Sequence, residues 1–282
     1  MSFVVHSVHD PAAALQACEA FLVARPVEHN LVLTLLGRRI VDPMPGQYCW
    51  VEDHQGVAGF AFWSPPSFHS AITPMPMPVV EALVEVMSEE MPELPGVAGE
   101  AASAAWFAGS WAERRRTPAA PVEAMRLYRL GVLRPPDGAP GRFRMGTEAD
   151  RDVLVAHRVG FHHDTDERGD LDPAAAVEQS VRARRCFVWD DDGVVSSATV
   201  TTAEAGVARV GFVYTPPEHR RHGYATACVA ATSAWVHDHD RADCILYTQL
   251  ANPTSNAIYR SIGYAPVCEI LRYQFGERPP SS

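Results

Sequence analysis

The spacing of apolar and polar positions is most legible in the second half of the chain. Thr147, with Asp150 three residues on, has the form of a capping box and predicts a helix to about Phe161. The polar stretch HHDTDERGDLD, residues 162–172, reads as a loop. Asp172 followed by Pro173 predicts the start of a second helix, since Pro suits a first helical position. The apolar runs CFVW, VVSSATVTT and VARVGFVYT then read as three strands, joined by hairpin-like turns at DDDG and AEAG. Beyond residue 223, Ala225, Cys228, Val229, Thr232 and Val236 share one helical face. CILYTQL reads as a strand, PTSNAIYRSI as a helix ended by Gly263, and APVCEILRYQF as a last strand. The order is helix, helix, three strands, helix, strand, helix, strand. It predicts an α/β (α+β) fold with a mixed sheet: antiparallel hairpins first, then a crossover helix feeding a neighbouring parallel strand.

The first half has fewer clear signals. Asp10 and Pro11 predict a helix through about Val23. QYCWVEDHQGVAGFAFW reads as a hairpin, MPVVEALVEVMSEEM and GEAASAAWFAGSWAERR as helices, and EAMRLYRLGVL as a strand. The segment LRPPDGAPGRF, dense in Pro and Gly, marks a boundary. It predicts a domain over 1–133, a linker over 134–141 and a second domain over 142–276. YCWVEDHQGVAGFAF and RCFVWDDDGVVSSAT both run Cys, apolar residues, acidic turn, Gly-Val, strand. That likeness is weak support for a duplication.

Composition narrows the function classes. The chain has 282 residues, 47% hydrophobic and 21% charged, as in soluble globular proteins. No apolar run reaches the roughly 18 residues of a membrane helix, and the first residues, MSFVVHSVHDPAAA, lack a basic leader and long apolar stretch. The six cysteines are scattered, without a CxxC pair, and read as reduced core thiols of a cytoplasmic protein. A formal net charge of −10 argues against nucleic-acid binding, which needs basic surface, and is compatible with a cationic substrate. No lysine occurs, so every fixed side-chain cation is Arg. FHHDTDE and HDHD at 237–240 lack the spacing of a defined zinc or calcium site, so no metal is expected. The sequence leaves a homodimer open.

TPPEHRRHGYATA, residues 215–227, carries the strongest chemical signal. A strand that turns into a helix leaves N–H groups unpaired at the helix start, and the peptide dipoles add positive potential there. Together these make an anion site. Gly223 permits close approach or a positive φ, Arg220 and Arg221 add donors suited to phosphate, and Pro216 and Pro217 end the strand. Neither G-x-x-x-x-G-K-[ST] nor G-x-G-x-x-G is present.

Arg220-Arg221-His222-Gly223-Tyr224-Ala225 resembles the R/Q-x-x-G-x-G/A signature of the GNAT superfamily of acetyl-CoA-dependent N-acetyltransferases. ANPTSNAIYRSIGYAPV is similar to the family's second motif, with Asn252, Tyr259, Gly263 and Tyr264 in its characteristic places. The resemblance covers roughly residues 142–275. The first half, with LPGVAGE before a helix and no such signature, resembles a degenerate copy, as in tandem GNAT proteins.

The resemblance implies acetyl-CoA as co-substrate and a small-molecule or peptide amine as acceptor. It implies that Val213 and Thr215 offer main-chain groups to the pantetheine arm, and that an N–H near Val213 polarises the thioester carbonyl. Backbone N–H groups from Arg221 through His222, Gly223, Tyr224 and Ala225 to Thr226 would cradle the diphosphate, with Arg220 as a charged flank. Thr226 would add a hydroxyl and Asn252 a contact to coenzyme A; Asn252 also reads as a plain helix cap. Tyr259 is the expected catalytic acid, because a phenol of pKa about 10 stays protonated at neutral pH and can protonate the leaving thiolate. No general base stands out among His162, His163, Asp164, Asp166, Glu167 and Glu204. Trp50, Phe60, Phe62 and Trp63 read as pocket lining or as core. The alternatives are a non-catalytic acyl-CoA-binding or regulatory protein, and a tandem acyltransferase of the mycothiol-synthase type.

Overall fold

The computed structural model describes residues 2–64, 68–165 and 172–276. They divide into two compact units, one of Met1–Leu127, Thr248–Ala251 and Val267–Ser282, the other of Tyr128–Tyr247 and Asn252–Pro266.

The first unit runs β1 (Val4–Val8), α1 (Pro11–Ala24), α2 (Asn30–Val41), β2 (Gln47–Asp53), β3 (Gly56–Trp63), β4 (Ser70–Ile72), α3 (Met77–Glu90), β5 (Gly96–Glu100), α4 (Ala101–Arg115) and most of β6 (Ala119–Leu130). Its strand order is β1-β2-β3-β4-β5-β12-β6, the C-terminal β12 (Tyr264–Phe275) lying between β5 and β6, with Ile270–Gln274 paired antiparallel to Gly96–Glu100. Asp10 caps α1 as the sequence predicts, accepting from the Ala12 N–H at 2.9 Å. Successive side chains of a strand point to opposite faces, so a strand buried on both reads as one apolar run. Tyr48, Trp50, Phe60 and Phe62 accordingly pack with Cys18, Leu22 and Leu36 of α1 and α2, while Cys49, Val51, Ala61 and Trp63 pack with Leu83, Met87, Phe107 and Trp111 of α3 and α4. The four aromatic residues named from sequence are therefore core.

The second unit runs β7 (Arg142–Met145), a short 3-10 turn (Glu148–Asp150), α5 (Arg151–Thr165), α6 (Pro173–Arg182), β8 (Cys186–Asp190), β9 (Val194–Val200), β10 (Val207–Tyr214), a 3-10 turn (Pro217–His219), α7 (Tyr224–Asp240), β11 (Asp243–Gln249) and α8 (Pro253–Ser261). Its strands follow the order β11-β10-β9-β8-β7. The hairpins are antiparallel and β10 pairs with β11 in parallel, Val207 opposite Asp243 through Val210 opposite Leu246. This is the mixed sheet expected. One face packs Ala198, Val200, Ala208 and Val210 on Cys228, Val229 and Val236 of α7 and on Tyr259 and Ile262; the other packs Cys186 and Val188 on Leu154 and Val177 of α5 and α6.

The capping box at Thr147 is present, and it opens a 3-10 turn that runs into α5. Asp150 accepts from the Thr147 N–H and hydroxyl, both at 2.8 Å, and takes two bonds of 2.8 Å from Arg144. One expectation fails here. His162, His163 and Asp164 belong to the last turns of α5 and not to a loop. Nothing in HHDT breaks a helix, and His is favoured near the negative end of the dipole.

One element order runs twice along the chain, from β1 to β6 and from β7 to β12: strand, two helices, three strands, helix, strand, helix, strand. The two segments compared in the sequence are the β2–β3 and β8–β9 hairpins, at the same ordinal place in each repeat. The order also corrects one correspondence. LPGVAGE leads into β5 and α4, the counterparts of β11 and α8. The counterpart of the β10–α7 stretch is the turn between β4 and α3.

All six cysteines are free thiols. Among the described residues no helix is long and apolar enough to cross a membrane, and no group of His, Cys, Asp and Glu is arranged to hold a metal ion.

Candidate active site

The site begins where β10 leaves its neighbours. Its pairing with β11 runs only from Val207 to Val210, although β10 continues to Tyr214 and β11 to Gln249. On the other side the register with β9 slips between Gly211 and Tyr214, and Phe212 has a φ of 48°. A bulge of this kind bends a strand and re-aims its groups. The Gly211 carbonyl accepts from Thr199 Oγ1 at 3.1 Å and the Tyr214 carbonyl from Ser196 Oγ at 3.1 Å, both on β9. Strict alternation would put carbonyls three residues apart on opposite edges, so the bulge between Gly211 and Tyr214, which spans Val213, shifts that alternation by one residue.

The bulge is held from α5. Arg158 lies over the Phe212 ring at 3.6 Å, and Phe161 and His162 pack on it at 5.2 and 5.8 Å. The Tyr214 side chain lies across Gly160, where an added Cβ would meet its hydroxyl at 2.4 Å. His157 packs 5.5 Å from the Tyr214 ring, with Nδ1 2.9 Å from Ser197 Oγ. Burial, then the nearby His219, pushes the His157 imidazole down to about 4, so it is neutral near pH 7.

The turn that follows presents main chain. β10 ends at Tyr214, ahead of Pro216 and Pro217, as predicted. Arg221 and Gly223 have φ of 67° and 83°. Gly223 is the N-cap of α7, and no side chain caps that helix. The first intrahelical bond is from the Ala227 N–H to the Gly223 carbonyl, at 3.0 Å. Among the described residues, the backbone N–H groups of Arg221, His222, Gly223, Tyr224, Ala225 and Thr226 find no protein acceptor. Six consecutive open donors at the positive end of a 17-residue helix form a strong neutral anion cradle.

The counterpart turn of the first unit, although α3 also lacks a side-chain cap, presents no such run of open N–H groups among the described residues. The Thr73 N–H is bonded to the Phe60 carbonyl, the Met75 N–H to Ser103 Oγ, and Pro74 and Pro76 have no N–H. The next helix start, at α4, is closed by Glu100, whose carboxylate accepts from the Ala102 and Ser103 N–H groups.

The side chains of the second-unit turn divide by role. Arg220 is tied down: Nε donates to the Thr215 carbonyl at 3.0 Å and Nη2 to Asp164 at 2.5 Å. Arg220 and His163 hold the Asp164 carboxyl below its ordinary range. Thr215 is thus engaged at its carbonyl, and its hydroxyl bonds Ser196 at 2.9 Å. Tyr224 is buried and donates to Asp191 at 2.5 Å; His222 stacks on it at 5.5 Å. Arg221 is exposed, and among the described residues neither it nor the Thr226 hydroxyl has a protein partner.

On α8, Asn252 accepts from the Ser255 N–H at 3.0 Å and so caps the helix. Tyr259 is 8% exposed, with Tyr128 and Tyr264 at 6.5 and 6.1 Å. Burial pushes its phenol up to about 12. Among the described residues its hydroxyl has no hydrogen-bond partner, and it is not one of the oxygens sealed from solvent. The neighbouring Tyr128 donates to Asn256 Oδ1 at 2.8 Å, and Asn256 Nδ2 donates to the Asn252 carbonyl at 2.7 Å. Phe212, Tyr214, His157 and Tyr128 carry no local mark in the sequence; Asn256, four residues after a capping Asn, is the one available clue.

Of the candidate bases, Asp164 is committed to Arg220 and His163. Glu204 is raised by burial and sits in a bridge with Val207. Asp166 and Glu167 lie outside the described residues. In HDHD, His239 stacks on Trp235 and Asp240 pairs with Arg185.

Residues 154–264 match the family described as Acetyltransferase (GNAT) family. No curated protein matches the chain. Among solved structures, it is similar to an acetyltransferase of the GNAT family from Colwellia psychrerythraea, with a TM-score of 0.64 and 9% identity over 96% of this chain and 99% of that one. A GCN5-related N-acetyltransferase from Sphaerobacter thermophilus gives 0.61 and 13%, over 99% and 98%. A tandem GNAT protein from the clavulanic acid biosynthesis pathway gives 0.55 and 12%, over the whole of both chains. At these identities the likeness is one of fold.

Proposed function

We propose that this chain, whose residues 154–264 carry a GNAT acetyltransferase domain, transfers an acetyl group from acetyl-CoA to a primary amine of a small molecule or peptide. The observation that carries this reading is the run of six open backbone N–H groups from Arg221 to Thr226, beside a strand that has parted from its neighbour. The open donors suit a diphosphate, and the freed edge at Val213 suits the amide-bearing pantetheine arm as an added strand. Arg221 adds the mobile cation; Arg220, committed to Asp164, shapes the turn.

The amine nitrogen bonds to the thioester carbonyl carbon, and the C–S bond breaks. The nitrogen loses its proton to water or a base, and the thiolate takes one from Tyr259, which regains it from solvent. An N–H near Val213, beside the bulge, would meet the carbonyl oxygen as it becomes negative. The water-poor place that raises Tyr259 also raises a thiolate bound there, so the proton transfer stays near balance. No metal enters the scheme. Within a tandem chain this gives one cofactor site, in the second unit, with the first unit as a copy that has lost its cradle. The composition fits a cytoplasmic protein.

The Tyr259 ring is buried, but its hydroxyl is spent on no partner among the described residues and is not sealed from solvent, so it is free to donate to a leaving thiolate, which favours catalysis over mere acyl-CoA binding. Release of free thiol from acetyl-CoA, measured across a panel of primary amines beside coenzyme A thermal shifts, tests the reading. Amine-dependent thiol release is expected; a thermal shift with no turnover by any amine would leave only a binding protein.

A further inference from the structure

Among its described residues, the first unit holds a buried cation without a counter-ion. Arg39, in the last turn of α2, is 7% exposed. Its Nη2 donates to Ser64 Oγ at 3.2 Å, and its Nη1 rests on the Met44 thioether at 2.7 Å. Its Nε is buried without a partner, and among the described residues no carboxylate lies within 4 Å of the guanidinium. Buried Arg is almost always paired, because desolvating a charge without an anion is costly.

A second orphan lies beside it. Tyr48 is fully buried, and among the described residues its hydroxyl has no partner. Arg39 is close enough to hold the Tyr48 phenol down against the larger upward push of burial. The two rings Tyr48 and Phe62 stack at 5.0 Å, and Arg39 lies 5.9 Å over Phe62. The cover is thin. Residues 42–46 are coil, and a cavity there is lined by His9, Met44, Pro45, Gly46 and Gln47. Gly46 presses on the Tyr48 hydroxyl so closely that an added Cβ would come within 2.7 Å of it. Met44, which rests on Nη1, is 45% exposed.

We propose that Arg39 and Tyr48 form a binding site for a small organic carboxylate, entered where Met44 now lies. One carboxylate oxygen would replace the thioether on Nη1 and the other would take the Tyr48 O–H; the Nε–H, on a different edge of the guanidinium, would stay outside the contact. A planar anion with two oxygens matches these few donors. A phosphate would bring further oxygens into a wall of Leu36 and Phe62, where nothing pairs them. The site is independent of the acyl-transfer reading, since it uses no residue of the second unit.

The test is calorimetric titration of the whole chain with acetate, butyrate, benzoate and inorganic phosphate, at constant ionic strength. Saturable binding of at least one carboxylate is expected, and none of phosphate. Arg39→Met, which replaces the cation with an apolar chain and so keeps the fold, should weaken carboxylate binding about 10- to 100-fold, the range of a lost charge-assisted hydrogen bond. Tyr48→Phe should weaken it by less, without loss of stability. No carboxylate binding to the wild type, equal binding of phosphate, or full affinity in Arg39→Met would each overturn the site.

Discussion

Arg220 Nη2 lies 2.5 Å from an Asp164 carboxylate oxygen, joining the turn before α7 to the end of α5. Arg220 heads the motif that first points to phosphate, yet its fork is spent on Asp164 and on the Thr215 carbonyl. On the proposed reading the gripping groups are the main-chain amides, and the motif's first cation is a strut.

This division of labour predicts unequal mutants. Arg220→Ala should weaken coenzyme A binding by about 10-fold or less, the range of one exposed, screened charge. Gly223→Val should weaken it by at least about 100-fold, because a β-branched residue resists the φ of 83° and its side chain stands over the cradle. Calorimetric titration of coenzyme A into both folded variants checks the ranking; equal losses would return the main role to side-chain charge.

Tyr259→Phe should lower kcat by roughly 100- to 10,000-fold with little change in coenzyme A affinity. The hydroxyl has no protein bond to lose, so the melting temperature should stay within about 0.5 kcal/mol of wild type in equivalent stability. Steady-state kinetics beside thermal denaturation separates the two effects, and unchanged turnover would remove Tyr259 from the chemistry.

The pH profile follows from the same residue. A phenol raised to about 12 keeps its proton through the alkaline range. The rate should rise with pH as the acceptor amine loses its proton, with no descending limb from Tyr259 below about pH 10. A fall in kcat between pH 8 and about 10 in the wild type, absent from a Tyr259 variant, would contradict this.

Acid should loosen the second unit at its start. The two bonds from Arg144, with those from Thr147, hold the Asp150 carboxyl at about 2, below its ordinary 3.8. A depressed folded pKa means stability that is present above the unfolded value and lost as pH falls through the folded one. The loss should amount to about 2 kcal/mol between pH 4 and about pH 2. Asp150→Asn should be destabilised near neutrality, and its gap from wild type should close over that window; denaturant melts at stepped pH measure it.

The sequence made legible what local rules encode. Gly223, the prolines before it and the Asn252 cap announce themselves because each fixes backbone geometry within a few residues. Elements without such marks were invisible. Helix α2 has no side-chain cap at His29, β4 is three residues long, and β7 is a four-residue run of which two are Arg. The Arg220–Asp164 pair spans 56 residues and the Tyr128–Asn256 bond 128, distances over which periodicity carries no information. Arg39 escaped for a further reason: an Arg beside Arg38 at a helix end reads as solvated surface, and only burial reveals that its charge is unmatched.

A crystal structure of the chain with coenzyme A bound tests the central claim most directly. The diphosphate oxygens should lie within hydrogen-bond distance of the backbone nitrogens of Gly223 to Thr226, with the pantetheine amides paired to β10 at Val213. A diphosphate bound away from these nitrogens, or a cradle left empty beside bound cofactor, would contradict it.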